Sequence, residues 1–261
     1  MKHTYTKKEA LRIIIAAAKD YADMLEGMNY LFIYRDRTSG GIEFFETVFL
    51  PRNYQHLTGI EYLGSDGKPQ KNSVFFYRKC LSNTITEDEI RFRKDGTTPL
   101  KLEAQPNLVR FLRFSKMTAL YNGTRPKLAV ERIAGTTNYC LGFVKNGDYY
   151  VPGSCLLEDI RKLGDRPSQI LAVLSKKVDR SEPVYKTVRY TAKGVDLDRL
   201  KLTESVFSAI GHFFLRRFLA FGSMISDLPK NCSPAERFFS VGLILKSRLK
   251  RYDTFCDFVP L

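Results

Sequence analysis

The sequence predicts an α+β fold followed by a helical C-terminal region. Three observations lead to this class. An amphipathic helical pattern opens the chain, and apolar runs bounded by polar, glycine-containing turns occur twice, near residues 30–50 and 139–152. From about residue 195 onward the pattern is wholly helical. We therefore divide the chain into an α+β domain over 1–194 and a helical extension over 195–261.

The N-terminal part contains one predicted helix and one predicted hairpin. Apolar residues recur at helical spacing over 7–26, and Gly27 is a suitable helix stop. Two β-rich runs follow at 30–34 and 42–50. The polar connection between them ends in glycines, which predicts that they pair as a hairpin.

The middle of the chain is predicted to be mostly helical. The pattern of residues 73–81 predicts a helix, and Thr86 to Glu89 fits a capping box at the start of another. Pro106 is suited to the first position of a third helix that Gly123 would end.

A second β-rich part follows this helical stretch. Asn146-Gly147 predicts a type I′ turn between two apolar strands. Ser154 is a suitable cap for a helix over 154–163. Three further segments have the composition of strands, namely 127–133, 168–178 and 183–191.

The net charge of +14 is the strongest compositional signal. Residues 61–194 contain 24 basic and 14 acidic side chains, so the excess is concentrated there. Such an excess suits a polyanionic partner, most often nucleic acid, although basic side chains can also merely solvate a surface. No stretch has the length of a membrane span and no signal peptide is evident, so we expect a soluble, cytoplasmic protein without membrane contact.

Several familiar catalytic sites are excluded by motif. The chain has no phosphate-binding loop, no dinucleotide fingerprint, no zinc-protease helix and no serine-hydrolase elbow. The five cysteines are dispersed, which argues against a zinc site and against a disulfide framework. We therefore expect chemistry that uses no metal and no cofactor.

RNA cleavage is compatible with these exclusions because the 2′-hydroxyl is an internal nucleophile. A histidine can move the protons, and a fixed cation can stabilise the charged transition state. His56, Lys101 and hydroxyl groups near the 149–154 segment would form such a set if the fold brought them together. His56 could instead be an inert structural imidazole, and Lys101 could cap an element or lie in solvent.

A group of short motifs carries a family resemblance. These are NYLFIYRD, GIEFFETVFLPRNYQHLTGI, FYRKCLSN, GTTPLKLE, GFVKNGDYYVPGS and ILAVLSKK. Over about residues 29–194 the chain resembles the fourth phage-associated group of the Barnase–EndoU–colicin–RelE (BECR) nuclease superfamily, which is similar to small toxin RNases. The resemblance implies a central antiparallel sheet with packed helices, an active site on the open sheet face, and metal-independent RNA cleavage. By position it implies His56 and Lys101 as the best catalytic candidates, with Ser82, Tyr150 and Ser154 weaker.

Two functions follow as expectations. The first is a ribonuclease of a mobile element that cleaves RNA by 2′-hydroxyl attack, with His56 in proton transfer. The second is an inactive nuclease-like scaffold that binds a host protein or ribonucleoprotein, such as an anti-CRISPR inhibitor, through its phenylalanine-rich C-terminal region. Candidate nucleic-acid contacts are the basic side chains Arg78, Lys79, Arg91, Arg93, Lys94, Lys176 and Lys177.

Overall fold

The computed structural model describes residues 4–111, 115–123, 128–178, 185, 187–197 and 200. Within these residues the chain forms helices and a mixed β-sheet, which confirms the α+β class. The predicted helical extension over 195–261 falls outside the described residues except at 195–197 and 200.

The helices and strands are numbered in chain order. The helices are α1 (Lys7–Met24), α2 (Tyr54–Thr58), α3 (Ser73–Leu81), α4 (Thr97–Ala104) and α5 (Ile160–Leu163). The first strands are β1 (Met28–Arg35), β2 (Ile42–Val48), β3 (Ile60–Tyr62), β4 (Ile90–Phe92) and β5 (Met117–Tyr121). The remaining strands are β6 (Arg132–Gly135), β7 (Cys140–Asn146), β8 (Tyr149–Leu156), β9 (Gly164–Lys177) and β10 (Thr187–Thr191).

The large sheet closes on itself as a barrel. Its strands follow the order β1-β2-β8-β7-β6-β5-β9, and β9 pairs back with β1. The 14-residue strand β9 closes the barrel because it pairs along both edges. One edge pairs with β1, and the other pairs first with β5 and then with β10. Strands β3 and β4 form a separate two-stranded sheet.

The resemblance implied a central antiparallel sheet, whereas the observed sheet is mixed. Strands β2 and β8 pair in parallel through Thr47 and Tyr150, whereas the other pairings in the described barrel are antiparallel. This parallel contact joins the two predicted hairpins, and together with the pairing of β1 and β9 it closes the barrel.

Several predicted elements are confirmed. Helix α1 begins with a capping box between Thr6 and Glu9, and α3 covers the predicted residues 73–81. Strands β1 and β2 pair as the predicted hairpin, and so do β7 and β8. Strand β9 includes the predicted segment from residue 168 up to Lys177.

Other predicted elements are wrong. The helix predicted to run from Pro106 is only a short turn, and β5 occupies Met117–Tyr121, because pairing with β6 and β9 outweighs the local helical pattern. The capping box at Thr86 precedes a single 3-10 turn. Ser154 lies inside β8 and caps no helix, and the turn after Asn146 is formed by Gly147 and Asp148, one residue later than predicted.

Aromatic side chains form much of the core. Tyr21 of α1 lies with its ring centroid 5.3 Å from that of Tyr54 on α2 and 5.6 Å from that of Tyr77 on α3, so three helices meet at these rings. Inside the barrel, Phe32 stacks on Phe45 at 4.7 Å. None of the helices in the described part of the chain combines the length and apolar character that crossing a bilayer requires.

Candidate active site

His56 lies on α2, the short helix that connects the barrel to β3. Tyr54 and Leu57 of the same helix are fully buried, so α2 packs one side against the core and presents Gln55 and His56 on the other. The side chain of His56 is exposed. The imidazole is therefore accessible to a substrate, although the barrel strands do not carry it.

A groove of about 340 Å³ lies beside this helix. Its walls come from α2, from β3, from the loop before α3 and the first residue of that helix, and from the residue that follows β4. The lining side chains include Gln55, His56, Glu61, Tyr62, Lys71 and Arg93. An imidazole, a guanidinium and an ammonium thus share one opening.

Side chains on and just after helix α4 cap the C-terminal end of α2. The Nζ of Lys101 donates a hydrogen bond to the carbonyl oxygen of His56 at 2.6 Å, and Nε2 of Gln105 donates to the carbonyl oxygen of Leu57 at 2.7 Å. The last carbonyl groups of a helix need such partners when they are buried. Lys101 is only 7% exposed, and burial lowers the pKa of its ammonium. The predicted catalytic cation therefore holds the backbone of His56.

Gly59 allows α4 to approach α2 closely. Its φ of +67° ends the helix, and its carbonyl oxygen accepts a 2.6 Å hydrogen bond from Oγ1 of Thr98. A Cβ at this position would lie 2.9 Å from Cδ of Lys101 and 3.2 Å from Cα of Thr98. Glycine is thus required both for the backbone conformation and for the contact between helices.

The surroundings of His56 disfavour its charged form. Partial burial lowers its pKa below the ordinary value of 6.5, and the nearby positive charges of Lys101 and Arg93 lower it further. The imidazole is consequently neutral at physiological pH and can accept a proton.

Arg93 is the arginine that lines the groove. Its backbone N–H donates to Oγ1 of Thr98 at 2.9 Å, which ties the residue to α4. Its guanidinium lies 3.9 Å from the carboxylate of Asp95, a loose contact at the surface. Arg91, by contrast, is paired closely with Glu61 on the adjacent strand at 2.8 Å. Of these two arginines, Arg93 is the better placed to contact an anion in the groove.

Tyr150 and Ser154 lie elsewhere on β8 and do not line the groove. The ring of Tyr150 packs 5.8 Å from that of Phe45 inside the barrel, with the guanidinium of Arg132 5.7 Å from it. The Oγ of Ser154 is buried and has no hydrogen-bond partner among the described residues. The structure thus does not bring these two hydroxyl groups together with His56.

Among the remaining basic residues on and after α3 and β4, one forms an ion pair and others are exposed. Lys79 forms an ion pair with Glu89. Arg78 and Lys94 are exposed. Arg78 and Lys94 can therefore contact phosphate.

Ser82, a weaker catalytic candidate, lies at the end of α3. Its Oγ donates a hydrogen bond to the carbonyl oxygen of Arg78.

Lys176 and Lys177 lie in a different part of the domain, at the end of β9 that pairs with the start of β1. The Nζ of Lys176 lies 4.7 Å from the ring centroid of Tyr185. Neither lysine lines the groove beside His56. Any contact that they make with nucleic acid involves a separate surface.

Sequence reasoning missed several groove residues, including Gln55, Tyr62, Lys71 and Ser73. Gln55 could have been found from its position next to His56 on a short helix. The other three come together only because β3 pairs with β4 and positions the loop before α3. Among the described residues there is no cluster of three or more His, Cys, Asp or Glu side chains that could hold a metal ion.

The comparisons with known proteins support a nuclease-like assignment. Residues 13–192 match a nuclease family, a range that contains the groove, the barrel and α1 from Ile13 onward. No curated protein and no solved structure matches the chain. With more than half of its length matched, the chain belongs to the phage-Barnase-EndoU-ColicinE5/D-RelE like nuclease4 family.

Proposed function

We propose that this nuclease-like domain is a metal-independent ribonuclease that cleaves RNA in the groove beside His56. One observation carries the proposal: an exposed imidazole with a lowered pKa and a guanidinium, that of Arg93, line the same opening. A neutral imidazole can remove the proton of a 2′-hydroxyl, and an arginine can bind the phosphate that this hydroxyl attacks.

The reaction begins when His56 accepts the proton of the 2′-hydroxyl. The 2′-oxygen then bonds to phosphorus, and the bond from phosphorus to the 5′-oxygen breaks. The leaving oxygen takes a proton from a water molecule in the open groove. The hydroxide that remains takes the proton held by His56, which returns the imidazole to its neutral form. The products are a 2′,3′-cyclic phosphate and a 5′-hydroxyl. Arg93 neutralises the charge that accumulates on the phosphate oxygens in the transition state.

Lys101 acts in this scheme as a positioning residue. Its ammonium is bonded to the backbone of His56 and is buried, so we assign it no contact with the phosphate. It fixes the end of α2, and its charge contributes to the lowered pKa of the imidazole. This role differs from the transition-state contact expected from the sequence.

The test is cleavage of a single-stranded RNA oligonucleotide by the purified full chain in EDTA. We expect products that end in 2′,3′-cyclic phosphate, and no cleavage of the same oligonucleotide with 2′-deoxy sugars. His56→Asn should abolish cleavage while the circular dichroism spectrum is unchanged. Arg93→Ala should reduce cleavage about 100-fold, the usual loss when a transition-state donor is removed. The matched control Arg12→Ala should cleave at nearly the full rate, because Arg12 is an exposed arginine of α1 that does not line the groove.

The inactive-scaffold alternative gives the opposite result. It depends on the C-terminal region, which falls outside the described residues. If RNA remains intact, if His56→Asn retains the biological effect, and if deletions after Leu200 abolish that effect, then the chain acts by binding a host protein or ribonucleoprotein.

A further inference from the structure

Phe75 is a partly exposed aromatic residue at the edge of the core. It lies on α3 and is 46% exposed, whereas its neighbours Phe76 and Tyr77 are fully buried. The helix therefore already has aromatic side chains for the core, and Phe75 points to its outer side. A single exposed apolar ring is common on protein surfaces, so the groups around Phe75 decide what it can bind.

The ring of Phe75 lies next to the groove that contains His56. Its centroid is 6.0 Å from that of Tyr62, and Tyr62 lines the groove. Ser73, which begins the same helix two residues earlier, lines it as well. Phe75 thus lies on the surface at the edge of the groove, next to the wall that Tyr62 and Ser73 form.

One cationic side chain contacts this ring, and two others lie on the same helix and at the groove. The Nζ of Lys79 lies 5.7 Å from its centroid, Arg78 is exposed on the next turn of α3, and Lys71 lines the groove before the helix. Lys79 is also paired with Glu89, so Arg78 and Lys71 are the better phosphate contacts. A flat apolar ring flanked by positive charges suits a ligand that combines aromatic faces with negative charge, as a nucleotide chain does.

We propose that Phe75 is a stacking platform for an unpaired base of the RNA, and that it makes single-stranded RNA the substrate of this groove. This inference rests on the proposed ribonuclease function. A base inside a duplex is stacked between its neighbours and cannot lie on a protein side chain, whereas an unpaired base can. The scissile phosphodiester would then lie in the groove while an adjoining base stacks on Phe75.

The test is binding of a single-stranded oligonucleotide made non-cleavable by 2′-deoxy substitution at every position, measured by fluorescence anisotropy at fixed salt. Phe75→Ala should weaken binding about 10-fold, a loss typical of one stacked base, and Phe75→Trp should retain it. Binding of a duplex of the same length should be unchanged by Phe75→Ala. Leu120→Ala is the matched control, because Leu120 is 58% exposed and does not line the groove.

Two results would overturn the stacking role. One is equal single-strand affinity for Phe75→Ala and Leu120→Ala, and the other is an equal loss of single-strand and duplex binding in Phe75→Ala. Cleavage separates this inference from the proposed function. If RNA is cleaved but Phe75→Ala binds normally, only the stacking role fails. If Phe75→Ala loses single-strand binding while the chain with His56 intact cleaves nothing, the stacking role stands and the ribonuclease function fails.

Discussion

Replacing Gly59 with alanine should destabilise the chain through two separable effects. The φ of Gly59 is +67°, a left-handed conformation that costs an L-residue about 1–2 kcal/mol. The new Cβ would also lie 2.9 Å from Cδ of Lys101 and 3.2 Å from Cα of Thr98. Lys101 can move little because its Nζ is bonded to the carbonyl of His56, and the Cα of Thr98 belongs to the backbone of α4.

Such overpacking costs about 1–3 kcal/mol, so the total loss for Gly59→Ala should be about 2–5 kcal/mol. Gly67 provides a matched control. Its φ is +70°, but no atom lies within 4 Å of the Cβ that alanine would add. Gly67→Ala should therefore lose only the conformational part, about 1–2 kcal/mol. The difference between the two variants isolates the contact between α2 and α4.

The assay is urea unfolding followed by circular dichroism and by tyrosine fluorescence, since the chain contains no tryptophan. The free energy of unfolding of Gly59→Ala should fall below that of Gly67→Ala by at least 1 kcal/mol, the lower limit for overpacking. Equal losses in the two variants would refute the close approach of α4 to α2, and with it the role assigned to Lys101.

Two further predictions concern titratable groups. The pKa of His56 in the folded state lies below the ordinary value of 6.5. Above pH 6.5 the imidazole is neutral, and its contribution to stability is fully present. Both the neutral form and this contribution are lost as the pH falls through the lowered pKa. Lys101→Met should raise the pKa of His56, which NMR titration of the imidazole measures. It should also move the acid limb of the pH–cleavage profile to higher pH. An unshifted acid limb would contradict the effect of the Lys101 charge on His56. Burial raises the pKa of the thiols of Cys80, Cys140 and Cys155 to about 12, so iodoacetamide should alkylate these three only after unfolding. Mass mapping of the native protein checks this, and early modification of any of them would count against the described core.

Local patterns predicted those elements whose signals are local. The helical spacing of apolar residues in α1 and the polar turn between β1 and β2 both lie within or beside the elements that they define. Strand β5 shows the opposite case. Pro106 and Gly123 frame a plausible helix, but the segment Met117–Tyr121 pairs with β6 and β9, which come later in the chain. Such pairing energy cannot be read from a short window of sequence.

The sequence indicated only those features of the candidate site that have a local signal. His56 is conspicuous because the chain has only 3 histidines, and its position on the outer side of α2 makes it accessible. The contact between His56 and Lys101 joins residues 45 positions apart, and the sequence indicated neither the burial of Lys101 nor its bond to a backbone carbonyl. Arg93 appeared only as one basic residue among many, because its place in the groove depends on the pairing of β3 with β4.

The groove is built from a continuous part of the chain. Each residue that lines it lies between Gln55 and Arg93, and the helix that supports it ends at Ala104. The barrel contributes mainly a support, because β8 packs beneath α2 and α4 through side chains such as Cys155, whose thiol donates to the carbonyl of Leu57 at 3.3 Å. The lining of the candidate site therefore comes from residues that lie outside the barrel strands. Under the proposed ribonuclease function, substitutions at the groove should alter substrate choice without altering the pairing of the barrel strands.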